Sequence, residues 1–182
     1  MKLLPVPLLA FLLVAVAGCS PGNSDSTSDS VLKHITLMDD RVGANSASGS
    51  TAWIDSTGTL EIDGKEVVLN PEQQALALRY QADAHAIRDQ GIEIGKSGAK
   101  IAGTAIKSVV EEMRSGSPEK IGSRVEAEAK VIEAQAHELC AKIGQLQASQ
   151  DALVAEVPAF LPYATITDET AADCRVNRVP AD

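Results

Sequence analysis

The hydrophobic period of this chain changes at residue 70, and that change constrains its fold more than any other feature. Between residue 31 and Asn70, apolar residues alternate with polar ones or form short runs broken by turn residues; after it they recur at threes, fours and sevens. Asn70-Pro71-Glu72-Gln73 marks the boundary. Asn is a good N-cap, Pro is preorganised for the first helical position, and Gln three residues after the cap can return a hydrogen bond to it. Strands first and helices second is the α+β class.

In residues 31–69, Leu32, His34, Thr36 and Met38 alternate with Val31, Lys33, Ile35 and Leu37, and Asp39-Asp40 reads as the turn that follows. Ala52-Trp53-Ile54 reads as a short strand closed by Asp55-Ser56-Thr57-Gly58. The stretch Gly43 to Thr51, rich in Ser and Gly, reads as a loop or a poor edge strand. Thr59-Leu60-Glu61-Ile62 and Lys65-Glu66-Val67-Val68-Leu69 flank Asp63-Gly64. Asp-Gly between two such runs predicts a two-residue hairpin, because both central residues must tolerate positive φ. Leu60, Ile62, Val67 and Leu69 would then face one core. Residues 31–69 are expected to form a small antiparallel β-meander.

Residues 70–157 are expected to form a long antiparallel two-helix hairpin. The first helical pattern runs to Met113 and stops at Ser115-Gly116; Ser117-Pro118-Glu119 opens the second. Ile121, Val125, Ile132, Ala136, Leu139, Ile143, Leu146, Leu153 and Val157 supply the buried stripe of the second helix. A short link makes the two helices antiparallel neighbours. Residues 158–182 are expected to be an extended C-terminal tail. Phe160 and Tyr163, set between Pro158 and Pro162, would dock on the domain, and the polar residues 167–182 would fray. One folded domain over residues 31–165 results. It has few rings to build with: the whole chain holds Trp 1, Tyr 2 and Phe 2. Ala, Val, Ile and Leu must carry the packing.

The N-terminus has a separate logic. Lys2 gives a positive start, Leu3 to Val16 an apolar run, and Val16-Ala17-Gly18-Cys19 resembles a bacterial lipobox. That resemblance implies a signal peptide over residues 1–18, cleavage before Cys19, and thioether attachment of lipid to Cys19. The apolar run is short for a membrane span, which needs about 20 residues. Residues 19–30 would be the lipidated Cys19 and a flexible Ser/Asp-rich tether, holding the domain on the order of 20 Å from the bilayer. Ser20 after the Cys resembles the enteric pattern for the outer membrane, so the expected location is its inner leaflet, facing the periplasm. The net charge of −9 argues against nucleic acid as a partner, which needs a basic footprint.

With Cys19 claimed by lipid, Cys140 and Cys174 remain. An even pair in an oxidising compartment favours a disulfide; a metal site with His137 and Cys140, or two free thiols, are the other readings. A second small-residue feature is the stripe Gly91, Gly95, Ala99 and Gly103, with Gly98 beside it and Ile87, Ile94, Ile101, Ala105 and Val109 assigned to the same face. Glycine costs a helix about 1 kcal/mol against alanine, so several on one stripe need a reason. Close approach of the second helix through Ala129, Ala134 or Ala136 is one reason; a partner helix or self-association is another; insertion into a bilayer is a third.

Signals for chemistry are sparse. His34, His85 and His137 form no metal or catalytic motif, and neither a nucleophile elbow nor a phosphate-binding glycine loop is present. Glu126, Glu128, Glu133 and Glu138 read as a solvated helix face or, as the rival reading, as an acid/base pair. Asp39, Asp40 and Asp55 lack calcium-loop spacing. No metal or cofactor is expected.

The order of these pieces resembles the YggN-like family of uncharacterised bacterial envelope proteins. The resemblance rests on Leu60-Glu61-Ile62-Asp63-Gly64-Lys65-Glu66-Val67, Pro71-Glu72-Gln73-Gln74, Tyr80, Leu139-Cys140 and Pro158-Ala159-Phe160-Leu161-Pro162-Tyr163, over residues 31–165. It implies an exported protein of unknown function and carries over no catalytic residue. The expected function is a lipid-anchored, non-enzymatic binding or structural module with an envelope protein partner or a second copy. The alternatives are a carrier of a small apolar ligand and a hydrolase built on the helix carboxylates or histidines.

Overall fold

A computed structural model describes residues 34–115, 119–170 and 174. Five strands lead: β1 (Ile35–Leu37), β2 (Arg41–Asn45), β3 (Thr51–Asp55), β4 (Leu60–Ile62) and β5 (Lys65–Val67). They form one antiparallel sheet in sequence order, as a meander. Two helices follow, α1 (Pro71–Ser115) and α2 (Glu119–Glu156), and then a 3-10 helix, Pro158–Tyr163. The fold is therefore α+β, with the sheet at the N-terminus and the long helices after it.

Local chemistry sets the joints. Asp63 (φ 52°) and Gly64 (φ 71°) both lie in the left-handed region, and Ile62 pairs with Lys65 across them. This is the two-residue hairpin expected from Asp-Gly. At the head of α1, the Gln73 backbone N–H donates to Asn70 Oδ1 at 2.9 Å, and the Asn70 N–H donates to Gln73 Oε1 at 3.0 Å. Two otherwise orphaned donors are satisfied by one reciprocal pair.

One expectation fails in the sheet. Gly43, Ala44 and Asn45 belong to β2, which lies inside the sheet between β1 and β3, and are neither loop nor edge strand. The reason is across the strand. Gly43 pairs with Trp53, and a Cβ at Gly43 would lie 2.8 Å from Thr51 Cγ2 and 2.9 Å from Trp53 Cζ3. The missing side chain makes room for the indole, so a residue of poor strand propensity is the one that fits.

The other sheet face meets the helices. Val42, Ala44, Ala52, Ile54 and Leu60 pack with Ala77, Tyr80 and Ala84 of α1 and with Ile143, Leu146, Leu153 and Val157 of α2. The tail closes this core. Phe160 and Tyr163 are buried, and Phe160 meets Tyr80 edge-on at 5.4 Å between ring centroids. Both rings dock as expected, but the segment carrying them is wound into the 3-10 helix and not extended. Beyond it, Gln150 on α2 is 1% exposed and grips Ile166 twice: its Nε2 donates to the Ile166 carbonyl at 2.8 Å, and its Oε1 accepts from the Ile166 N–H at 3.1 Å. Further along, Cys140 and Cys174 are joined by a disulfide, with Cα atoms 5.5 Å apart.

Candidate functional site

The core occupies only the lower part of the helical hairpin. Its outermost described members are Ile87 on α1 and Leu139 on α2. Past them α1 runs on to Ser115 as an arm of about 40 Å. Within the arm Ile94, Ser97, Ile101, Thr104, Ala105 and Ser108 of α1, spaced mostly at threes and fours, are all half-buried or buried and mark the seam with α2. Gln135 Nε2 donates to Ser97 Oγ at 3.0 Å across this seam, and Gln90 Nε2 to Glu138 Oε2 at 3.3 Å near its base.

That seam overturns the close-packing reading of the glycine stripe. Gly91, Gly95, Ala99 and Gly103 are exposed, and a Cβ at Gly91, Gly95, Gly98 or Gly103 would meet nothing within 4 Å. Ala129, Ala134 and Ala136, the expected counterparts on α2, are exposed as well. Ile94 and Ile101 do not share the face of the exposed glycines either. They sit at seam positions beside Ser97, and Ile92 and Ile106 take their place on the stripe, 47% and 67% exposed. The physical cause is helical phase: Gly95 lies two residues before Ser97, about 200° around the helix. The same face is covered lower down. Ala77 and Ala84 are buried under the sheet, and Gly91 continues them at the seven-residue interval.

The titratable side chains of the described residues form scattered ion pairs. Glu133 lies 3.9 Å from His137 and Glu126 3.8 Å from Lys130, each pair along one exposed stretch of α2. Asp39 faces Arg88 at 3.6 Å. Asp55 is held in a loop cap: its Oδ1 accepts from the Thr57 hydroxyl at 2.7 Å, the Thr57 N–H at 2.8 Å and the Thr59 N–H at 3.0 Å. Desolvation works against its charge, but the Thr57 hydroxyl and the Thr59 and Thr57 amides outweigh it and hold the carboxyl below the usual range. Burial pushes the Tyr80 hydroxyl well above the ordinary tyrosine value, so it stays neutral in the core. Among the described residues no three His, Cys, Asp or Glu converge as metal ligands, and no helix is long and apolar enough to cross a membrane. Cys19 and the segment before it lie outside the described residues.

On the outer sheet face, Thr36, Gly43, Trp53, Glu61 and Glu66 form one cross-strand row. The Arg41 guanidinium stacks 4.3 Å from the Trp53 ring centre. Arg41 thus caps the ring that Gly43 admits.

A family model described as a protein of unknown function, DUF2884, matches residues 30–121, which span the sheet, α1 and the start of α2. The chain belongs to this family. The DUF2884 match stops short of Leu139-Cys140 and of Pro158–Tyr163, so the disulfide and the ring-bearing tail lie beyond it. No curated protein and no solved structure matches the chain. The unknown-function domain thus comprises the sheet and the bare helix face together. The sequence reading missed Ile92 and Ile106 as members of that face, although both stand seven residues from Ala99.

Proposed function

We propose that this chain is a lipid-anchored envelope protein of the periplasmic side, and that it acts as a non-enzymatic binding module whose helical arm is its working surface. The observation that carries the reading is the arm. Two helices continue past the core, and α1 presents an apolar face there with Ile92 and Ile106 both exposed. Contiguous exposed apolar surface on a soluble domain marks an interaction site. The space between sheet and helices, where an apolar cargo would sit, is filled by Tyr80, Phe160, Ile54, Leu60 and Leu146. Val16-Ala17-Gly18-Cys19 supports the anchor, the likeness to the YggN-like family supports export, and the Cys140–Cys174 disulfide suits an oxidising compartment.

Intact-mass spectrometry of the protein from bacterial membranes tests the anchor. The expected species starts at Cys19 and carries acyl mass on it. Cys19→Ala should lose that mass and leave the membrane fraction. A wild-type chain without acyl mass, or a Cys19→Ala chain still held by the membrane, would overturn the reading.

A further inference from the structure

We infer that the bare face of α1 is covered by a second copy of this chain, in an antiparallel pairing whose two-fold axis passes beside Ala99. The inference deepens the reading of the arm as an interaction surface and does not depend on the lipid anchor.

The face is open and has more than small residues on it. Ile92, Gly95, Ala99, Gly103 and Ile106 fall within an arc of about 80° at 3.6 residues per turn. All five are exposed, Ile92 by 47% and Ile106 by 67%. Along the chain they are symmetric. Gly stands four residues before Ala99 and four after it; Ile stands seven before and seven after. An isologous contact requires that residue i meet j while j meets i. An antiparallel pair centred on Ala99 does this with like residues throughout. Ile92 meets Ile106 of the second copy, Gly95 meets Gly103, and Ala99 meets Ala99. The small central residues admit close backbone approach, and the isoleucines fill the wider gap at either end, where each loses its exposure to water.

The charges are not palindromic about Ala99, but at each end of the face the same rotation sets opposite charges beside one another. Asp89, Glu93, Lys96, Lys100 and Lys107 line one edge of the face. Two-fold rotation about Ala99 brings Lys107 of the second copy level with the gap between Asp89 and Glu93, once on each side. Lys96 is already joined to Glu93 at 2.8 Å. Lys100 of the second copy comes level with Gly98, two residues from both Lys96 and Lys100, so these lysines are the like-charge cost of the arrangement, and the exposed Lys100 side chain has room to turn outward. The sheets do not collide. Asp39, in the turn after β1, reaches Arg88, eleven residues from Ala99, so the second copy's sheet ends level with Val110, beyond Ile106 and beside the last turn of α1.

Cysteine cross-linking of the full-length purified chain tests this, since a residue on the axis meets itself and one off the axis does not. Under mild oxidation Ala99→Cys should give a disulfide-linked dimer with the 99–99 linkage in its peptide map. Ile92→Cys and Ile106→Cys should each stay monomeric alone and cross-link when mixed. Ala127→Cys, on exposed α2, should stay monomeric. Gly95→Leu and Gly103→Leu meet no neighbour in the single chain, so the melting temperature of dilute protein should hold while the Ala99→Cys dimer is lost. No dimer from Ala99→Cys would overturn the inference. So would equal cross-linking of Ile92→Cys alone and in the mixture, or a dimer that survives Gly95→Leu. Protection of these cysteines by lipid vesicles with no dimer would assign the face to a bilayer. Every variant also carries Cys19→Ala, which removes the one cysteine outside the Cys140–Cys174 bond and the lipid site with it, so the two readings fail separately.

Discussion

At the scale of single residues, the side chains that hold this molecule together are mostly ones that local pattern does not reveal. Gln150 sits in the buried phase of α2, where periodicity expects an apolar residue. It is tolerated because both ends of its amide are used, by the N–H and C=O of Ile166, sixteen residues away. Truncation to Gln150→Ala would bury two unpaired backbone groups, each costing about 1–3 kcal/mol. Denaturant unfolding should show a loss of about 2–6 kcal/mol on that basis, with faster hydrogen exchange at Ile166. Gly43 is the complementary case. Its neighbour Trp53 is ten residues away in sequence and directly opposite in space. No reading of Gly-rich composition would place an indole there, and so this part of β2 was legible only as a loop or a poor edge strand. Asp55 gives a pH test. Its folded pKa lies below the ordinary 3.8, so the unfolded chain binds its proton first as acid is added. The stabilisation it supplies is present above pH 4 or so and is lost as pH falls through the folded value. Asp55→Asn should therefore narrow the stability difference between pH 6 and pH 3. An identical pH slope in variant and parent would show that Thr57 and Thr59 do not hold the charged form.

At the scale of elements, what was legible is what local chemistry decides. The Asp63-Gly64 turn, the Asn70–Gln73 cap and the two long helices all follow from residues within four positions of one another. The face of a helix that meets its partner does not. Glycines at four-residue spacing on α1 invite a partner, and α2 is nearby, but the apolar and hydroxyl residues of the seam turn the glycines away from it. Ser97, Thr104 and Ser108 occupy seam positions that Ile or Leu fills in a stable coiled coil. The arm should accordingly be the soft part of the molecule. Hydrogen exchange over minutes to hours should show strong protection at Ala77–Ile87 and Ile143–Val157. It should show weaker protection at Ile94–Ser108, by a factor of about 10 or more for each 1.4 kcal/mol of lost local stability. Uniform protection along α1 in dilute protein would refute this. Protection of the arm that rises with protein concentration is the signature of its being covered by a second copy.

At the scale of the whole molecule, two ties bind the last part of the chain to α2: the Gln150 grip at Ile166 and the Cys140–Cys174 bond, which closes a sequence separation of 34 residues. The cysteine pairing was legible by elimination, because only two thiols remain once Cys19 is set aside. Its mechanical setting was not, since the hydrogen bond at Ile166 already fixes the chain before the disulfide is reached. The two act on different states. The amide grip stabilises the folded chain, whereas the covalent link chiefly restricts the unfolded one, by about 3–4 kcal/mol for a loop of this length. Replacing both cysteines with serine should therefore lower the denaturant midpoint and also steepen the transition, because an unfolded chain without the link exposes more surface. The folded state should change little. Trp53, the one tryptophan, lies on the opposite face of the sheet from the helices, so its emission should match that of the parent chain below the transition. A variant with unchanged midpoint and slope would mean that the bond does not constrain the unfolded protein. A shifted Trp53 emission would mean instead that the tail's two ties hold the sheet in shape, through Tyr163 and the Ser50 hydroxyl that reaches it at 3.4 Å.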